Sequence, residues 1–571
     1  MNSTYMISTL LSCFFFMSIV AFVSYQKTKG IADTKDGYFL AGRGLTGVFI
    51  AGSMLLTNVS AEHLIGLNGL AYGFNMSSMA WEVTASVATI FMALVLLPRY
   101  LFGGFTTLPQ FLSDRFGEDV KRITVLLFLV GYGLITIPSV LYLGSIAVLQ
   151  LFDIPKLLNI SYGFGLTLTI ICVGLTGAIY AVFGGLKAVA VSDTLNGIGL
   201  LIVGITVPLF GFIALGDGDL GTGVNKVLTT HTEKLNAIGG PTDPTPFSTL
   251  FTGMIFANLF YWGTNQYVIQ RTLGAASLAE GQKGVLYTGY FKLLVPLFVM
   301  VPGIISFHLY GDELQSIDLA YPYLVKNVLP MYLSGFFLAV LLGAVFSSFN
   351  SLLNSAATLF VLDIYQPFKN TKISDKRLIR AAKMLSLGIA LFSFVVAPLL
   401  QFAPEGLFQV IRIFSGFYNI PVIAVVLVGL LTKRVPGIAA TVAIAFHVIA
   451  YAILQFVIDL DIDFLHIYAI LFFIEIGIML GIGYWMPLDK PWRFINKARV
   501  DMTPWRYGTP VAITMVSCMI MTYLVFSPVG LVNGVSSRFW YAIATVFVVN
   551  ALLCWLSSKY WCKKYIPPLS Y

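Results

Sequence analysis

The chain has 571 residues, 58% hydrophobic and 11% charged, with a formal net charge of +8 and a mean hydropathy of +0.86. A soluble domain carries about 25% charged residues, so this composition excludes a water-soluble particle. The positive charge is not a nucleic-acid footprint, because Lys and Arg fall mainly in short loops between apolar runs, a pattern that reports membrane orientation. Alternating strand-length segments of a β-barrel are not seen. The chain reads as an all-α polytopic membrane protein. Cys13, Cys172, Cys518, Cys554 and Cys562 are scattered, with neither metal nor disulfide spacing.

Windows of about 20 apolar residues predict about fifteen spans. They lie at 6–26, 44–74, 77–101, 123–152, 161–183, 190–216, 247–269, 284–309, 330–365, 381–401, 407–431, 436–457, 462–485, 510–530 and 538–560. The first lacks a preceding Lys or Arg and a small-residue cleavage site, so it reads as a retained helix rather than a signal peptide. Odd-numbered connections carry the basic residues: Lys27 to Arg43, Arg115 with Lys121 and Arg122, Lys187, Arg271 with Lys283, Lys369 to Arg380, Lys433 with Arg434, and Lys490 to Arg506. The bias places the N-terminus outside and the C-terminus inside.

Two spans look broken. The second reads GVFIAGSMLLTNVSAEHLIGLNGLAYG, interrupted by Asn58, Ser60, Glu62 and His63. The seventh reads TLFTGMIFANLFYWGTNQYVIQ, interrupted by Asn258, Gly263, Thr264, Asn265 and Gln266. An odd spacing of five spans makes the two run in opposite directions. Interrupted helices at matching places of two halves point to an inverted-repeat transporter with a midplane site. The expected division is 1–43 first helix and cytoplasmic loop, 44–216 repeat 1, 217–246 extracytoplasmic loop, 247–435 repeat 2, and 436–571 flanking helices.

A polar row crosses the ninth span: Ser347, Ser348, Asn350, Ser351, Asn354, Ser355, Thr358 and Asp363. Hydroxyls at membrane depth must bond backbone, a neighbouring helix or a transported species. Two adjacent hydroxyls plus carbonyls freed by a broken helix suit a hard cation; they equally suit close helix packing. Glu82 and Lys292 are charges inside apolar runs, each costing at least about 2.5 kcal/mol if unpaired. Either they face a cavity or they form a structural ion pair. Arg412 lies a few residues into its span and could snorkel outward. His447 and Glu475, both mid-span and outside the repeats, read as a structural pair. No phosphate-binding loop, HExxH or paired CxxC occurs, and the histidines do not cluster. The chain does not read as an enzyme, and no cofactor is implied.

These residues resemble the sodium:solute symporters over about residues 35–435, in the branch holding the bacterial sodium/galactose cotransporter and its animal sodium/glucose relatives. Within it the chain is most like the YidK-type bacterial symporters. YAVFGGLKAVAVSD (Tyr180–Asp193) and AVFSSFNSLLNSAATLFVLDIY are similar to the two family signatures; NVSAEHLIGLNG, ANLFYWGTNQYVIQRTL and FKLLVPLFVMVPGI match further segments. The resemblance implies the leucine-transporter fold, two inverted five-helix repeats plus flanking helices. It implies a sodium site from the carbonyls of Leu56, Val59 and Ala344 and the hydroxyls of Ser347 and Ser348, with Asp193 handling the ion nearby. It places solute-binding positions at His63, Glu82, Ala85, Asn258, Lys292 and Arg412. Tyr261 falls on the aromatic that stacks on sugar and closes the inner gate; Leu67, Trp81 and Phe408 fall on the outer gate. His63 and Arg412 replace glutamines of the galactose cotransporter, and Ala85 replaces a serine, so galactose itself is in doubt. Arg412 has a fork suited to carboxylate or sulfate, which points to a sugar acid.

The expected activity is sodium-coupled symport of a sugar or sugar acid by alternating access in the inner (plasma) membrane. The partners are sodium, solute and lipid, with no nucleic acid. The alternatives are proton coupling on the same fold, or a channel or sensor that retains it.

Overall fold

The computed structural model describes residues 3–28, 39–369, 373–402, 407–458 and 460–565. The regular elements of the described residues are helices, with two isolated β-bridges, Leu45 to Ala275 and Ser277 to Asp501. The connections at 29–38 and 370–372 lie outside the described residues, as do the basic residues the sequence places there. Among the described residues, twelve helices are long and apolar enough to cross a membrane, or thirteen when the bent pair Gly47–Asn58 and Glu62–Gly73 counts as one span. That is fewer than the expected fifteen. The difference lies in two segments: 161–183 is part of a longer run, and 247–269 is split into halves too short to span alone.

The longer run, Tyr162–Leu215, covers two expected spans. Stretched straight it would be about 81 Å long at about 1.5 Å per residue. Its contacts require it to double back. Gly177 faces Phe346 and Phe349, Asn196 faces Gly343, and Gly199 faces Val340. Residues far apart in the run thus converge on a few turns of one neighbour.

That neighbour, Met331–Leu359, packs against Ser3–Thr28, Gly47–Asn58 and Tyr162–Leu215. It belongs to the most enclosed of the twelve spans. This explains its polar row, since every one of those hydroxyls and amides is buried against protein rather than lipid. Ser355 donates to Gln270 Oε1 (2.8 Å), and Thr358 accepts from Gln270 Nε2 (3.1 Å). The C-terminal part of the row therefore docks the second half of the second broken helix, Gln266–Leu273.

Two arginines read from the sequence as loop cations are in fact buried. Arg115 donates to the carbonyls of Gly429 (3.1 Å), Thr432 (3.2 Å) and Val435 (2.9 Å), capping the end of Leu407–Leu431. Arg271 is fully buried and donates to Ser53 Oγ (2.7 Å), Ser351 Oγ and the Tyr267 carbonyl, 3.8 Å from Asp193. Both lie near the ends of apolar runs, where tertiary structure rather than sequence decides between water and protein.

The polar stretch 217–246 lies against the three segments that carry Leu67, Trp81 and Phe408. Lys234 donates to the carbonyls of Tyr72 (2.9 Å) and Gly73 (3.3 Å), capping the second half of the first broken helix. Thr245 meets Ser78 (3.1 Å), and Gln409 donates to the Pro244 carbonyl (2.5 Å).

Arg115→Met should lower the melting temperature in detergent, since each buried carbonyl left without its donor costs about 1–3 kcal/mol. Arg115→Lys should recover part of the loss; equal melting of wild type and Arg115→Met would refute this capping role.

Candidate solute and cation site

The first break begins at Val59, whose ψ of 74° leaves the helical range. The Ser60 N–H, regular partner of the Leu56 carbonyl, turns instead to Asn58 (2.8 Å). The His63 N–H, regular partner of the Val59 carbonyl, turns to Ser60 (3.1 Å). Leu56 and Val59 thus lose the ladder partners of their carbonyls. The intervening Thr57 carbonyl accepts from Ser348 Oγ (2.9 Å), and Thr57 Oγ1 lies 3.5 Å from Ser347 Oγ and 3.3 Å from Ser351 Oγ. The structure therefore brings the broken helix and the hydroxyl pair of Met331–Leu359 together, with Ala344 one turn away and buried. Asp193 accepts from Ser53 Oγ (2.6 Å) and shares a small polar pocket of about 20 Å³ with Ser347, Asn196 and Asn350.

The second break separates Gly253–Gly263 from Gln266–Leu273. The N–H groups of Thr264 and Asn265 both end on the Phe260 carbonyl at 2.9 Å. Tyr100 donates to the Gly263 carbonyl (3.0 Å), and Tyr132 donates to Asn265 Oδ1 (2.5 Å). Neighbouring helices thus supply one donor to a carbonyl that the break releases and one to the Asn265 side chain.

Between the breaks lies a chain of charges. Lys292 donates to Glu82 Oε2 and to Asn58 Oδ1. The other oxygen of Glu82 is 3.4 Å from His63 Nε2. His63 Nδ1 is 3.6 Å from Glu62 Oε1, which accepts from Arg412 Nη2 at 3.2 Å. The Arg412 guanidinium lies 4.5 Å from the Phe408 ring centre and 5.4 Å from that of Trp81, and Trp81 and Phe408 meet edge to face. Leu67, Trp81 and Phe408 are all buried above this cluster.

Of the solute positions expected from the sequence, His63, Glu82, Lys292 and Arg412 form one network. Asn258 donates to Thr84 Oγ1 (3.0 Å), two residues from Glu82. Tyr261 stands between Trp262 and Tyr267, with ring centres 5.2 and 5.8 Å away. Ala85 is buried and adds no polar atom. Sequence reasoning left Glu62 and Asn58 out of the site, although both interrupt the same span. Each is the direct partner of a cation, Glu62 of Arg412 and Asn58 of Lys292.

A model of the sodium:solute symporter family matches residues 38–444. The chain belongs to the sodium:solute symporter family. It is 42% identical over 98% of both chains to the uncharacterized symporter YidK of Escherichia coli (strain K12). It is 30% identical to the sodium/glucose cotransporter of Vibrio parahaemolyticus, covering 73% of this chain and 78% of that one. It is 32% identical to the human sodium/myo-inositol cotransporter 2, covering 75% and 66%. In fold it resembles a sodium-coupled sialic acid symporter solved in an outward-open state, with a TM-score of 0.74 at 19% identity, covering 86% and 99%. The transporter Mhp1 matches with a TM-score of 0.50 at 16% identity, covering 79% and 96%. These are transporters, not enzymes, and the chain is a multi-pass membrane protein of this symporter family.

Glu82→Gln should destabilise the protein by about 3–5 kcal/mol, because it leaves the Lys292 charge buried without its counter-ion. The double variant Glu82→Gln/Lys292→Met should melt closer to wild type. Additive losses would show that the two side chains do not act as a pair.

Proposed function

We propose that this symporter carries a small neutral polyhydroxy solute, a sugar or a cyclitol, together with sodium by alternating access. The observation that carries this reading is charge balance at the centre. Glu62 and Glu82 face Arg412 and Lys292, two carboxylates for two cations. Arg412 was the one residue that pointed to a sugar acid, and its charge already has a partner. An anionic solute would add an uncompensated charge at membrane depth, which costs several kcal/mol.

Around the balanced charges stand buried polar atoms without hydrogen-bond partners: Ser60 Oγ, Glu62 Oε2, His63 Nδ1, Trp81 Nε1 and Arg412 Nε. Donors and acceptors are mixed among them. Hydroxyl groups, which do both, match such a set. The names of the glucose and myo-inositol relatives agree with this solute class.

For sodium, the proposed ligands are the carbonyls of Leu56, Val59 and Ala344 and the hydroxyls of Ser347 and Ser348. The first two carbonyls have lost their ladder partners. The Ser348 hydroxyl spends its proton on Thr57, which leaves its lone pairs free for a cation. Asp193, bonded to Ser53 beside Ser347, is the proposed ion-handling carboxylate. In this scheme 44–216 and 247–435 are the inverted repeats, with the N-terminus outside and the C-terminus inside. Trp81, Phe408 and Leu67 close the outer path and Tyr261 the inner one. One sodium crossing the field supplies about 2.3 kcal/mol per 100 mV. Coupling follows because the ligands sit on two helices, so the ion favours the arrangement that holds them together.

The test is uptake into proteoliposomes of labelled D-glucose, D-galactose and myo-inositol. Uptake of at least one should require an inward sodium gradient and should not be driven by a pH gradient in potassium. D-Glucuronate should compete more weakly than D-glucose. Stronger competition by the sugar acid would overturn the neutral-solute reading, and uptake driven by protons alone would overturn sodium coupling. Ser348→Ala should raise half-saturating sodium about tenfold, the effect of about 1.4 kcal/mol in one ligand. Unchanged sodium dependence in that variant would reject the proposed ligand set.

A further inference from the structure

Helices Gly437–Phe456 and Phe464–Trp485 lie outside both proposed repeats. Most of their residues face outward, yet each buries polar side chains completely. His447 pairs through Nδ1 with Glu475 Oε1, and its Nε2 donates to the Gly416 carbonyl (3.0 Å). Tyr451 donates to the Ile413 carbonyl (2.7 Å), and Tyr468 donates to the Arg412 carbonyl. Three donors from two flanking helices thus end on a single turn of Leu407–Leu431, at residues 412, 413 and 416.

The choice of target has two supports. Gly416 lets the two tyrosine rings approach the backbone, since a Cβ there would collide with Tyr451 and Tyr468. Just beyond it, Pro421 supplies no N–H for the Phe417 carbonyl, so the helix is weakened below the gripped turn. Holding two lipid-facing helices together needs only apolar packing. A histidine–carboxylate pair at zero exposure is costly in a bilayer, and its role must be something packing cannot supply. Hydrogen bonds to named carbonyls fix the rotation and height of a turn; apolar contacts do not.

The gripped turn carries Arg412 itself and continues into Phe408, the two side chains that close over His63 and Glu62. We propose that His447, oriented by Glu475 and assisted by Tyr451 and Tyr468, is a positioning residue that fixes the outer half of this helix to the flanking pair. The flanking helices then set where Arg412 meets Glu62, and the helix yields at Pro421 rather than at the gate. The inference rests on the reading that Arg412 lines the solute site, and its test is built to separate the two.

His447→Asn keeps a group near Nδ1 for Glu475 but loses the donor to Gly416. His447→Gln can place an amide N–H where Nε2 stands. Two readouts apply to the full-length protein. The first is hydrogen–deuterium exchange of the peptide covering 408–420, measured in detergent with sodium and no solute. The second is proteoliposome uptake of whichever of D-glucose, D-galactose or myo-inositol the wild type carries. In His447→Asn, exchange across 408–420 should rise while the peptide covering 47–58 stays unchanged. Its KM should rise about tenfold, the effect of losing one hydrogen bond of about 1.4 kcal/mol. Its kcat and half-saturating sodium should stay within about twofold of wild type, a change worth only about 0.4 kcal/mol. His447→Gln should match wild type in both readouts. Unchanged exchange in His447→Asn, or a His447→Gln as impaired as His447→Asn, would overturn the proposal. If the wild type carries none of the three probes, the solute reading fails and the exchange measurement alone decides the clamp.

Discussion

A carbonyl that loses its helical N–H inside a bilayer has no water to turn to. The chain creates this problem deliberately at two places, after Leu56 and after Phe260, and the surrounding helices are arranged to answer it. At the second break Tyr100 donates to the Gly263 carbonyl, while Tyr132 binds the Asn265 side chain. At the first break only the Thr57 carbonyl receives a side-chain donor, from Ser348. The hydroxyls of Ser347 and Ser351 lie 3.5 and 3.3 Å from the Thr57 side chain on that same turn. Each break thus has one carbonyl held by a side-chain donor, and in the proposed scheme the first also seats the ion.

The charged centre obeys the same economy. Glu82, Lys292, Glu62 and Arg412 come from four segments of helix and neutralise one another in pairs, bridged by His63. Removing any one of them would leave a bare charge among apolar groups. The Trp81 and Phe408 rings lie against the Arg412 guanidinium, so in the proposed scheme the outer gate and the charge network share a member.

Much of this was legible in the sequence, and what was not has a physical reason. Polar interruptions of apolar runs marked both breaks because such residues are costly unless they serve the interior. Glu82 and Lys292 stood out for the same reason, as did the His447–Glu475 pair. Arg115 and Arg271 were misread as loop cations. An arginine near the end of a span can reach water or turn inward, and only packing decides. Glu62 was passed over because its partner, Arg412, is 350 positions away and its neighbour His63 drew attention first. Two of the expected spans do not stand as separate long helices, because 161–183 belongs to a longer run and 247–269 is broken. The flanking helices read as packing because the sequence shows their polar residues but not the carbonyls those residues seek.

The start of the first broken helix and the end of the second are joined by main-chain bonds. Leu45 donates to the Gly274 carbonyl (3.1 Å), and Ala276 donates back to Leu45 (3.0 Å). Glu280 adds a carboxylate on the Gly47 N–H (2.6 Å), at the positive end of that helix. Two half-helices knotted at their feet cannot drift apart like independent pillars. A displacement of either half-helix is carried to the other through these bonds, so the joined stump acts as a single lever.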